Sequence, residues 1–323
     1  MGIRVAFIGA GGIAGFHLRH LEKIPDVEVV GFCDVVREKA RGRAKQYKAR
    51  AYSDHRRMLD ATKPDAVYVC TPPFAHGPYE LDAVARGCHL FVEKPIATSM
   101  DTALEIRDAI KKAGVVSAVG YQDRYQDIIA RLRKFLRTRQ VATAMGYWMG
   151  GMPGVAWWRV KAQSGGQHTE QTTHIFDMMR YLFGEVRAVF AAASTGLMTH
   201  VPNYDVEDVS AVTLIFKSGI VGTVYSACCL KGVGKVGIDI FCTDARVEYV
   251  ERTSVTIHEP SRSETFRNTT DFGQAEDEAF IEAVRTKGKA KRKIRSDYAD
   301  ACKSLALSLA ADKSMATGQV VEL

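Results

Sequence analysis

A predicted strand, a glycine-rich turn and the start of a helix lie together in residues 3–15, IRVAFIGAGGIAG. The run from Ile3 to Ile8 is short and mostly apolar, which predicts a buried strand. A helix-compatible run continues from the turn through Lys23. This order of strand, glycine turn and helix typically opens a parallel α/β sheet, and it decides the fold of the N-terminal part of the chain.

The turn has the pattern G-x-G-x-x-A, with Gly9, Gly11 and Ala14 at the fixed positions. The first glycine allows the tight turn, the second lets backbone N–H groups approach a pyrophosphate, and the small alanine lets helix and strand pack closely. A pyrophosphate would then lie at the helix N-terminus. We therefore predict a dinucleotide-binding turn rather than a plain glycine-rich one. Its predicted cofactor contacts are Gly9, Gly11, Gly12, Ile13 and Ala14.

A carboxylate follows the second predicted strand, Val27 to Cys33, at Asp34, twenty residues after Ala14. A carboxylate at this spacing meets the adenosine ribose hydroxyls, which favours NAD as the cofactor. Arg37 could instead pair with a 2′-phosphate, so NADP remains possible. Asp34 could also cap the next predicted helix, Arg37 to Lys48, and the two roles could coexist.

Strands and helices alternate throughout residues 1–120, which predicts a doubly wound parallel sheet. We assign residues 1–122 to this α/β Rossmann domain. Ligands of such sheets bind outside the carboxyl ends of the strands. The further predicted strands are Ala66 to Cys70, His89 to Val92 and Val115 to Gly120, and the further helices are His76 to Arg86 and Ser99 to Ala113.

Three groups of residues at these strand ends are cofactor candidates. Glu93-Lys94-Pro95 ends an apolar run and puts an ammonium where the sheet presents its ligand, with a φ-locked proline behind it. The loop from Thr71-Pro72 to His76 could flank the nicotinamide half of a cofactor, although a plain turn with His76 at the start of a helix is the alternative. Gln122 follows the last of these strands.

An acid and a histidine stand four residues apart at Glu170 and His174, within a run from Gly165 to Phe183 that predicts one helix. Asp177 is three residues further, so all three side chains would share a helix face. The pair could be a metal half-site, a structural salt bridge or a catalytic pair. No convincing third ligand lies nearby, so we predict no metal and favour a catalytic pair.

Oxidation of an alcohol needs a hydride acceptor and a base for the hydroxyl proton. His174 is the predicted base, because an imidazole accepts and returns a proton near neutral pH. Lys94 would hold the hydroxyl oxygen and stabilise alkoxide character. Glu170 would orient the imidazole or bind a neighbouring sugar hydroxyl, and Glu93 would support the cofactor or align Lys94. The site therefore requires an ammonium from the first half of the chain and an imidazole from the second half.

On these motifs the chain resembles the glucose-fructose oxidoreductase and inositol dehydrogenase family, Gfo/Idh/MocA. The resemblance implies NAD(P)-dependent oxidoreduction of a sugar or cyclitol, with the lysine and histidine roles falling to Lys94 and His174. It also implies that Trp158 and Arg159 lie near the cofactor. Two positions depart from the family pattern, since Glu170 replaces the usual aspartate and Thr172 the usual glycine.

Amides, a guanidinium and flat rings surround the predicted site, and this mixture suits a polyhydroxylated ligand. The tryptophans have an alternative role as core residues, because large aromatic side chains are usually well buried. The predicted substrate contacts are Lys94, Arg124, Trp157, Glu170, Gln171 and His174.

Residues 123–323 predict a second, α+β domain with a large, mostly antiparallel open sheet. An amphipathic helix, Tyr125 to Thr138, precedes consecutive strands joined by tight turns. We expect helices from Gly165 and from Glu276 to cover one sheet face, and a second subunit to cover the other, giving a homodimer or homotetramer. The predicted strands are Val141 to Met149, Ala188 to Ser194, Val209 to Phe216, Ile220 to Cys228, Val236 to Phe241 and Arg246 to Val250.

Composition excludes several other classes of protein. Residues 287–295 carry six basic residues, which account for most of the net charge of +7, so the excess is local and does not predict nucleic-acid binding. Seven cysteines without a C-x-x-C motif predict reduced core thiols in a cytoplasmic protein. No apolar run of membrane-spanning length and no signal peptide is recognisable, so we predict no membrane association.

Two other functions are compatible with the same residues. A glycoside could be oxidised transiently, eliminated and reduced again, giving cleavage without net turnover of the cofactor. Alternatively, the departures at Glu170 and Thr172 could mark a nucleotide-binding sensor without chemistry. Net dehydrogenation is the favoured prediction, because Lys94 and His174 are both present.

Overall fold

A computed structural model describes residues 2–323, and these divide into two compact units. The first unit comprises the described residues up to Gln122 together with Asp271–Cys302, and the second comprises Asp123–Thr270 and Lys303–Leu323. The predicted division after residue 122 therefore differs from the observed one in residues 271–302, which return to the first unit. No helix within residues 2–323 is both long and apolar enough to cross a bilayer.

The secondary structure consists of strands β1–β15 and helices α1–α11, numbered along the chain. The strands are Ile3–Ile8, Val27–Cys33, Arg50–Tyr52, Ala66–Val69, His89–Val92, Ser117–Val119, Val141–Met149, Val186–Ser194, Val209–Phe216, Val221–Ala227, Lys235–Cys242, Arg246–Val250, Ser254–Glu259, Arg262–Arg267 and Val321–Glu322. The helices are Gly12–Leu21, Arg37–Tyr47, His55–Thr62, Pro78–Ala85, Met100–Ala113, Asp127–Leu136, Lys161–Ser164, Gly166–Glu170, Thr173–Phe183, Phe272–Arg285 and Tyr298–Thr317. Short 3-10 helices cover Pro73–Ala75, Gln122–Tyr125, Ala156–Arg159 and Lys291–Lys293.

The sheet of the first unit has six parallel strands in the order β3-β2-β1-β4-β5-β6. This confirms the predicted doubly wound sheet, in which both faces of the central strands are buried. Stacked rings of Phe7, Tyr68 and Phe91 form the centre of its core. The sequence reasoning missed β3 and α3, which are only three and eight residues long.

Helix α10 packs against α1 in the first unit, and its apolar side chains join the core around Phe7. The prediction that a helix from Glu276 covers the second sheet is therefore wrong. The physical reason is its buried face, since Phe280 and Ile281 are fully buried and the ring of Phe280 meets those of Tyr68 and Phe91 edge-on.

The sheet of the second unit has nine strands in the order β14-β13-β12-β11-β7-β10-β9-β8-β15. Neighbours are antiparallel except β7 and β10, so the predicted, mostly antiparallel α+β architecture is confirmed. Its core combines buried residues of α6, α9 and the C-terminal part of α11 with those of the strands. Ile128 and Leu132 of α6 are buried as the amphipathic pattern predicted.

The run predicted as one helix from Gly165 to Phe183 is broken. Gly165 and Gly166 have φ values of +77° and +81°, which end α7 and separate it from α8. Between α8 and α9, the Thr172 hydroxyl lies 2.8 Å from that of Ser226 on β10. Glu170 and His174 consequently lie on different helices, and the prediction that they share one helix face is wrong.

Candidate active site

The carboxyl ends of the parallel strands are in register. Ile8 pairs with both Cys33 and Val69, and Val92 pairs with Val69 and with Val119. Backbone hydrogen bonds extend the ladder by one more residue on each strand. Residues that follow these strands therefore lie along one edge of the sheet, as predicted for Gly9, Asp34, Thr71 and Lys94.

The glycine turn leaves space for a ligand at the start of α1. Gly9 has a φ of +92°, and a Cβ atom there would lie 2.2 Å from the carbonyl oxygen of Cys70, so only glycine fits. Cβ atoms at Gly11 and Gly12 would meet nothing within 4 Å among the described residues. No side chain of the described residues caps this helix, which leaves its N–H groups to an anion. The turn therefore fits a dinucleotide pyrophosphate.

Asp34, which follows β2, is hydrogen-bonded to the glycine turn. Its Oδ2 accepts a 2.8 Å hydrogen bond from the backbone N–H of Ala10, and its Oδ1 accepts one of 2.8 Å from Val36. The residue preceding α2 is Val36, so the helix-cap role considered for Asp34 is wrong. Each carboxylate oxygen keeps a second lone pair that can accept a ribose hydroxyl. Arg37 is exposed in the first turn of α2.

Arg43, on α2, was missed by the sequence reasoning. Its Nη2 lies 3.4 Å from the carbonyl oxygen of Gly11, and a Cβ atom at Gly15 would lie 2.3 Å from the same nitrogen. Its guanidinium therefore lies against the glycine turn. No sequence pattern marks it, because its position depends on how α2 packs beside α1.

Orphaned polar atoms lie in the loop after β4. Nδ1 of His76 pairs with Oε1 of Glu80 at 2.5 Å, while Nε2 of His76 and Oγ1 of Thr71 are buried without a hydrogen-bond partner among the described residues. A bound ligand would satisfy such atoms, so both residues fit a cofactor role. Helix α4 begins at Pro78 with Gly77 as its cap, so the alternative of His76 starting the helix is wrong.

Glu93 and Lys94 directly follow β5. Glu93 is 7% exposed, and its Oε1 lies 2.9 Å from Nε2 of His17 on α1. Lys94 is half-buried, and the Lys94–Pro95 peptide bond is cis. The sequence reasoning assigned Glu93 to cofactor support or lysine alignment, but nothing in the sequence indicated His17 as its partner.

His174 lies in the first turn of α9 in the second unit and is 5% exposed. Its Nδ1 is 3.5 Å from Oδ2 of Asp123, and its ring stacks on Trp148 with centroids 5.5 Å apart. Arg252 holds the Asp123 carboxylate through hydrogen bonds of 2.7 and 3.2 Å. Sequence reasoning missed Asp123, Trp148 and Arg252, although Asp123 adjoins the predicted Gln122.

Two predicted contacts are buried in internal pairs. Trp158 is fully buried, and its indole N–H donates a 2.8 Å hydrogen bond to Glu170, so its side chain has the core role that was the alternative to a cofactor contact. Arg124 is 3% exposed and forms hydrogen bonds of 2.6 and 2.7 Å with Asp177. Its guanidinium is therefore occupied internally, contrary to the predicted substrate role.

The remaining predicted contacts are half-buried. They are Gln122, Trp157, Arg159, Glu170 and Gln171. The side-chain carbonyl oxygens of Gln122 and Gln171 are buried without a hydrogen-bond partner among residues 2–323. Both amides therefore fit a ligand-binding role. The one cluster of three potential metal ligands found in the described chain is His17, His20 and Asp277, which contains neither Glu170 nor His174.

The fold and this edge define a Rossmann domain of the dinucleotide-binding class. Two family models match, one described as an oxidoreductase family with an NAD-binding Rossmann fold over residues 3–121, and one as the GFO/IDH/MocA C-terminal domain over residues 137–248. The chain belongs to the GFO/IDH/MocA oxidoreductase family, as the sequence motifs indicated.

Several relatives are named dehydrogenases. D-glucoside 3-dehydrogenase of Escherichia coli (strain K12) is 34% identical over 56% of this chain and 54% of its own length. Myo-inositol 2-dehydrogenase of Thermotoga maritima (strain ATCC 43589 / DSM 3109 / JCM 10099 / NBRC 100826 / MSB8) is 25% identical over 88% of this chain and 86% of its own. The alignment with the glucoside dehydrogenase thus spans about half of that relative.

A solved structure of levoglucosan dehydrogenase in complex with NADH and levoglucosan has a similar fold. Its TM-score is 0.87, its sequence identity is 20%, and the match covers 100% of this chain and 99% of that one. The likeness supports the two-domain fold assigned above.

Proposed function

We propose that this chain is an NAD-dependent dehydrogenase that oxidises a hydroxyl-bearing carbon of a sugar, a sugar derivative or a cyclitol. The observation that carries the proposal is the carboxyl edge of the parallel sheet. It combines an uncapped helix N-terminus, the Asp34 carboxylate and the Lys94 ammonium in the place where such sheets bind ligands.

The residues proposed to bind the cofactor are those at the carboxyl edge of the sheet whose groups match parts of NAD. The N–H groups at Gly11 and Gly12 would bind the pyrophosphate, and Asp34 the adenosine ribose. The orphaned atoms of Thr71 and His76 would receive hydrogen bonds at the nicotinamide end. NAD is favoured over NADP, because the Asp34 carboxylate would repel a 2′-phosphate. Arg37 is the residue that would favour NADP.

When bound, NAD supplies the hydride acceptor. His174 is proposed as the base that takes the hydroxyl proton. Its neighbour Asp123, clamped by Arg252, supports this role, because a fixed carboxylate orients an imidazole and stabilises its protonated form. Lys94 is proposed to donate a hydrogen bond to the hydroxyl oxygen and to stabilise the negative charge that develops on it.

The proposed substrate contacts are Lys94, His174, Glu170, Trp157 and Gln171. Two roles were open for Glu170, orienting the imidazole of His174 or accepting a hydrogen bond from a substrate hydroxyl. The second is proposed, because Glu170 lies on a different helix from His174 and its Oε2 accepts a hydrogen bond from Trp158. The relatives' names refer to a glucoside, an inositol and levoglucosan, all polyhydroxylated rings. We carry over this substrate class and no single member of it.

A screen of sugars, cyclitols and glycosides with NAD and with NADP tests the proposal, with the absorbance of the reduced cofactor as the readout. We expect NADH to accumulate with at least one polyol, and to be lost in Lys94→Met but not in Lys111→Met, an exposed lysine on α5. Absence of turnover across the panel, with intact NADH binding, would contradict dehydrogenation and favour the sensor.

The same screen separates the glycoside-cleaving alternative. Chromogenic glycosides would release their aglycone without accumulation of NADH if oxidation, elimination and reduction follow one another on the enzyme. Stoichiometric NADH with an intact glycosidic bond would support net dehydrogenation. Loss of both activities in His174→Gln is expected in either case, because both need a base at the same hydroxyl.

We also propose a homodimer or homotetramer that uses the outer face of the nine-stranded sheet. The alternation of β10 puts Val221 and Tyr225 outward, with exposures of 47% and 40%, and Phe190 of β8 is 43% exposed. Large apolar side chains on a sheet face favour burial against another copy. All seven cysteines are free thiols, and we propose a cytoplasmic location on that basis.

A further inference from the structure

A buried network of charged side chains joins α10, α1 and the end of β5 within the first unit. Asp277 is fully buried and accepts hydrogen bonds from Nδ1 of His17 at 2.9 Å, Nδ1 of His20 at 2.7 Å and the hydroxyl of Tyr68 at 3.0 Å. The opposite nitrogen of His17 lies 2.9 Å from Oε1 of Glu93. The network therefore runs from a helix late in the sequence to the residue before Lys94.

His17 lies between two carboxylates, so both of its ring nitrogens can act as donors and the ring is a cation. Burial alone would lower the pKa of His17, but the charges and hydrogen bonds of Asp277 and Glu93 outweigh it and raise the pKa to about 10. Although burial works in the opposite direction, His17 also lowers the pKa of Asp277 below its usual value. The three groups form a minus-plus-minus arrangement.

Glu93 is fixed at both its backbone and its side chain. Its N–H donates to the carbonyl oxygen of Val69 at 2.9 Å, and its carboxylate lies directly against Gly120, where a Cβ atom would be 2.5 Å from Oε1. A larger residue at position 120 would displace the carboxylate. Glu93, the residue that precedes Lys94, is thus held in place through both its backbone and its carboxylate.

Stability alone is a weak explanation for this network. Replacing buried ion pairs by apolar residues of similar size is often neutral or stabilising, so charge in a core is not needed to hold α1, α10 and β5 together. The network ends at the ligand edge of the sheet, where strongly shifted groups commonly serve a site. Each histidine of α1 bonds Asp277, but the contact with Glu93 belongs to His17.

We propose that Asp277, His17 and Glu93 form a positioning relay that fixes the turn carrying Lys94 to α1, the helix that begins at the glycine turn. The three are positioning residues, and Lys94 is the group that meets the substrate. The inference rests on the function proposed above. Because Asp277 fixes His17 and His17 fixes Glu93, the orientation of Lys94 relative to the glycine turn is set before any ligand binds.

The variants His17→Gln and His20→Gln form a matched pair, since both lose a bond to Asp277 but only the first loses the link to Glu93. For His17→Gln we expect kcat to fall about tenfold to a hundredfold, the loss typical of a misplaced group, with the substrate KM and the NADH Kd within about threefold. His20→Gln should keep kcat within about threefold of the wild type. Equal losses in the two variants, or an unchanged His17→Gln, would overturn the relay.

A readout without catalysis keeps this test separate from the proposed function. Competitive acetylation at a fixed pH, followed by peptide mass spectrometry, gives the reactivity of Lys94 relative to that of the exposed Lys111. His17→Gln and Glu93→Gln should each change this ratio by about threefold or more, because the turn that carries Lys94 is held less firmly to α1. His20→Gln should leave it unchanged. Equal ratios in all four proteins would refute the relay even if no polyol were oxidised.

If His17→Gln does not fold, Glu93→Gln provides a second test of the relay. The amide oxygen still accepts a hydrogen bond from His17, so the fold should persist while the charge is lost. A circular dichroism melt confirms folding. A lowered kcat and a changed acetylation ratio of Lys94 in this variant support the relay, and wild-type values of both contradict it.

Discussion

The carboxylate of Asp34 accepts a 2.8 Å hydrogen bond from the backbone N–H of Ala10, so the residue proposed to bind the ribose also fixes the turn proposed to bind the pyrophosphate. Asp34→Asn should weaken NADH binding by about tenfold and raise the affinity for NADPH relative to NADH, because the charge that repels a 2′-phosphate is removed. Fluorescence titration with both cofactors measures the change. In Arg37→Gln, NADPH affinity should fall while NADH affinity stays; a preference for NADPH in the wild type would reverse the assignment.

The two kinds of glycine in the turn should behave differently on substitution by alanine. Gly9→Ala should lower the free energy of unfolding by on the order of 2–4 kcal/mol, because it combines a positive φ with a collision against Cys70. Gly12→Ala enters open space, so it should melt like the wild type but bind NADH more weakly. Urea unfolding and cofactor titration distinguish the two effects. Equal stability of both variants would mean that the turn relaxes around a Cβ atom.

His174 and Asp123 should act as a unit in catalysis. His174→Gln should lower kcat by about a hundredfold to ten-thousandfold, as expected for loss of a general base, without a change in NADH affinity. Asp123→Asn should have a smaller effect, and it should alter the pH dependence of kcat because the neighbouring carboxylate charge is gone. His258→Gln, on β13 of the same unit, is the control and should retain wild-type rates. A fully active His174→Gln enzyme would exclude the proposed base.

The raised pKa of His17 predicts a loss of stability at high pH. Its pKa of about 10 in the folded protein exceeds the ordinary histidine pKa of 6.5, so the folded state binds the proton more tightly. The stabilisation is therefore complete below about pH 6.5 and is lost as the pH rises through about 10. Urea unfolding between pH 6 and pH 10 should show a smaller decline in His17→Gln than in the wild type, with His20→Gln as the control. Parallel declines in all three proteins would contradict a protonated His17.

The outer sheet face should determine the oligomeric state. The double variant Val221→Lys and Tyr225→Lys puts two charges on that face and should dissociate the assembly, because like charges facing each other across an interface are repulsive. Light scattering at several concentrations measures the mass. Thr256→Lys on β13, a polar position of the same sheet, is a milder comparison. A wild-type protein that scatters as a monomer would refute the proposal.

The fold of the first unit was predictable because its signals are local. The glycine pattern, the carboxylate after β2 and the short apolar runs each lie within a few residues, and β1, β2 and β5 have the predicted bounds. The assignment of residues 271–302 to the first unit was not predictable in this way. It depends on Phe280 packing against Tyr68 and Phe91, which is a contact between distant parts of the chain.

The candidate site was predictable by residue type but not by partner. Lys94 and His174 stand out as chemical groups in a pattern, whereas Asp123 and His17 gain meaning only from the side chains that the fold puts beside them. The helical spacing of Glu170 and His174 was misleading. The run is broken between α8 and α9, where the Thr172 hydroxyl contacts that of Ser226, and periodicity alone does not reveal such a tertiary contact.

Helix α10 is synthesised late but belongs to the first unit, and this has a consequence for folding on the ribosome. A nascent chain that has emerged only as far as Gln122 holds all six parallel strands, yet it lacks the acceptor that His17, His20 and Tyr68 share in Asp277. Its first core cannot close until the segment up to Cys302 has left the exit tunnel, after the whole nine-stranded sheet except its last strand has been made. Cotranslational maturation of the nucleotide-binding half is therefore delayed until Cys302 has emerged, and a chaperone would meet an open Rossmann sheet throughout that interval.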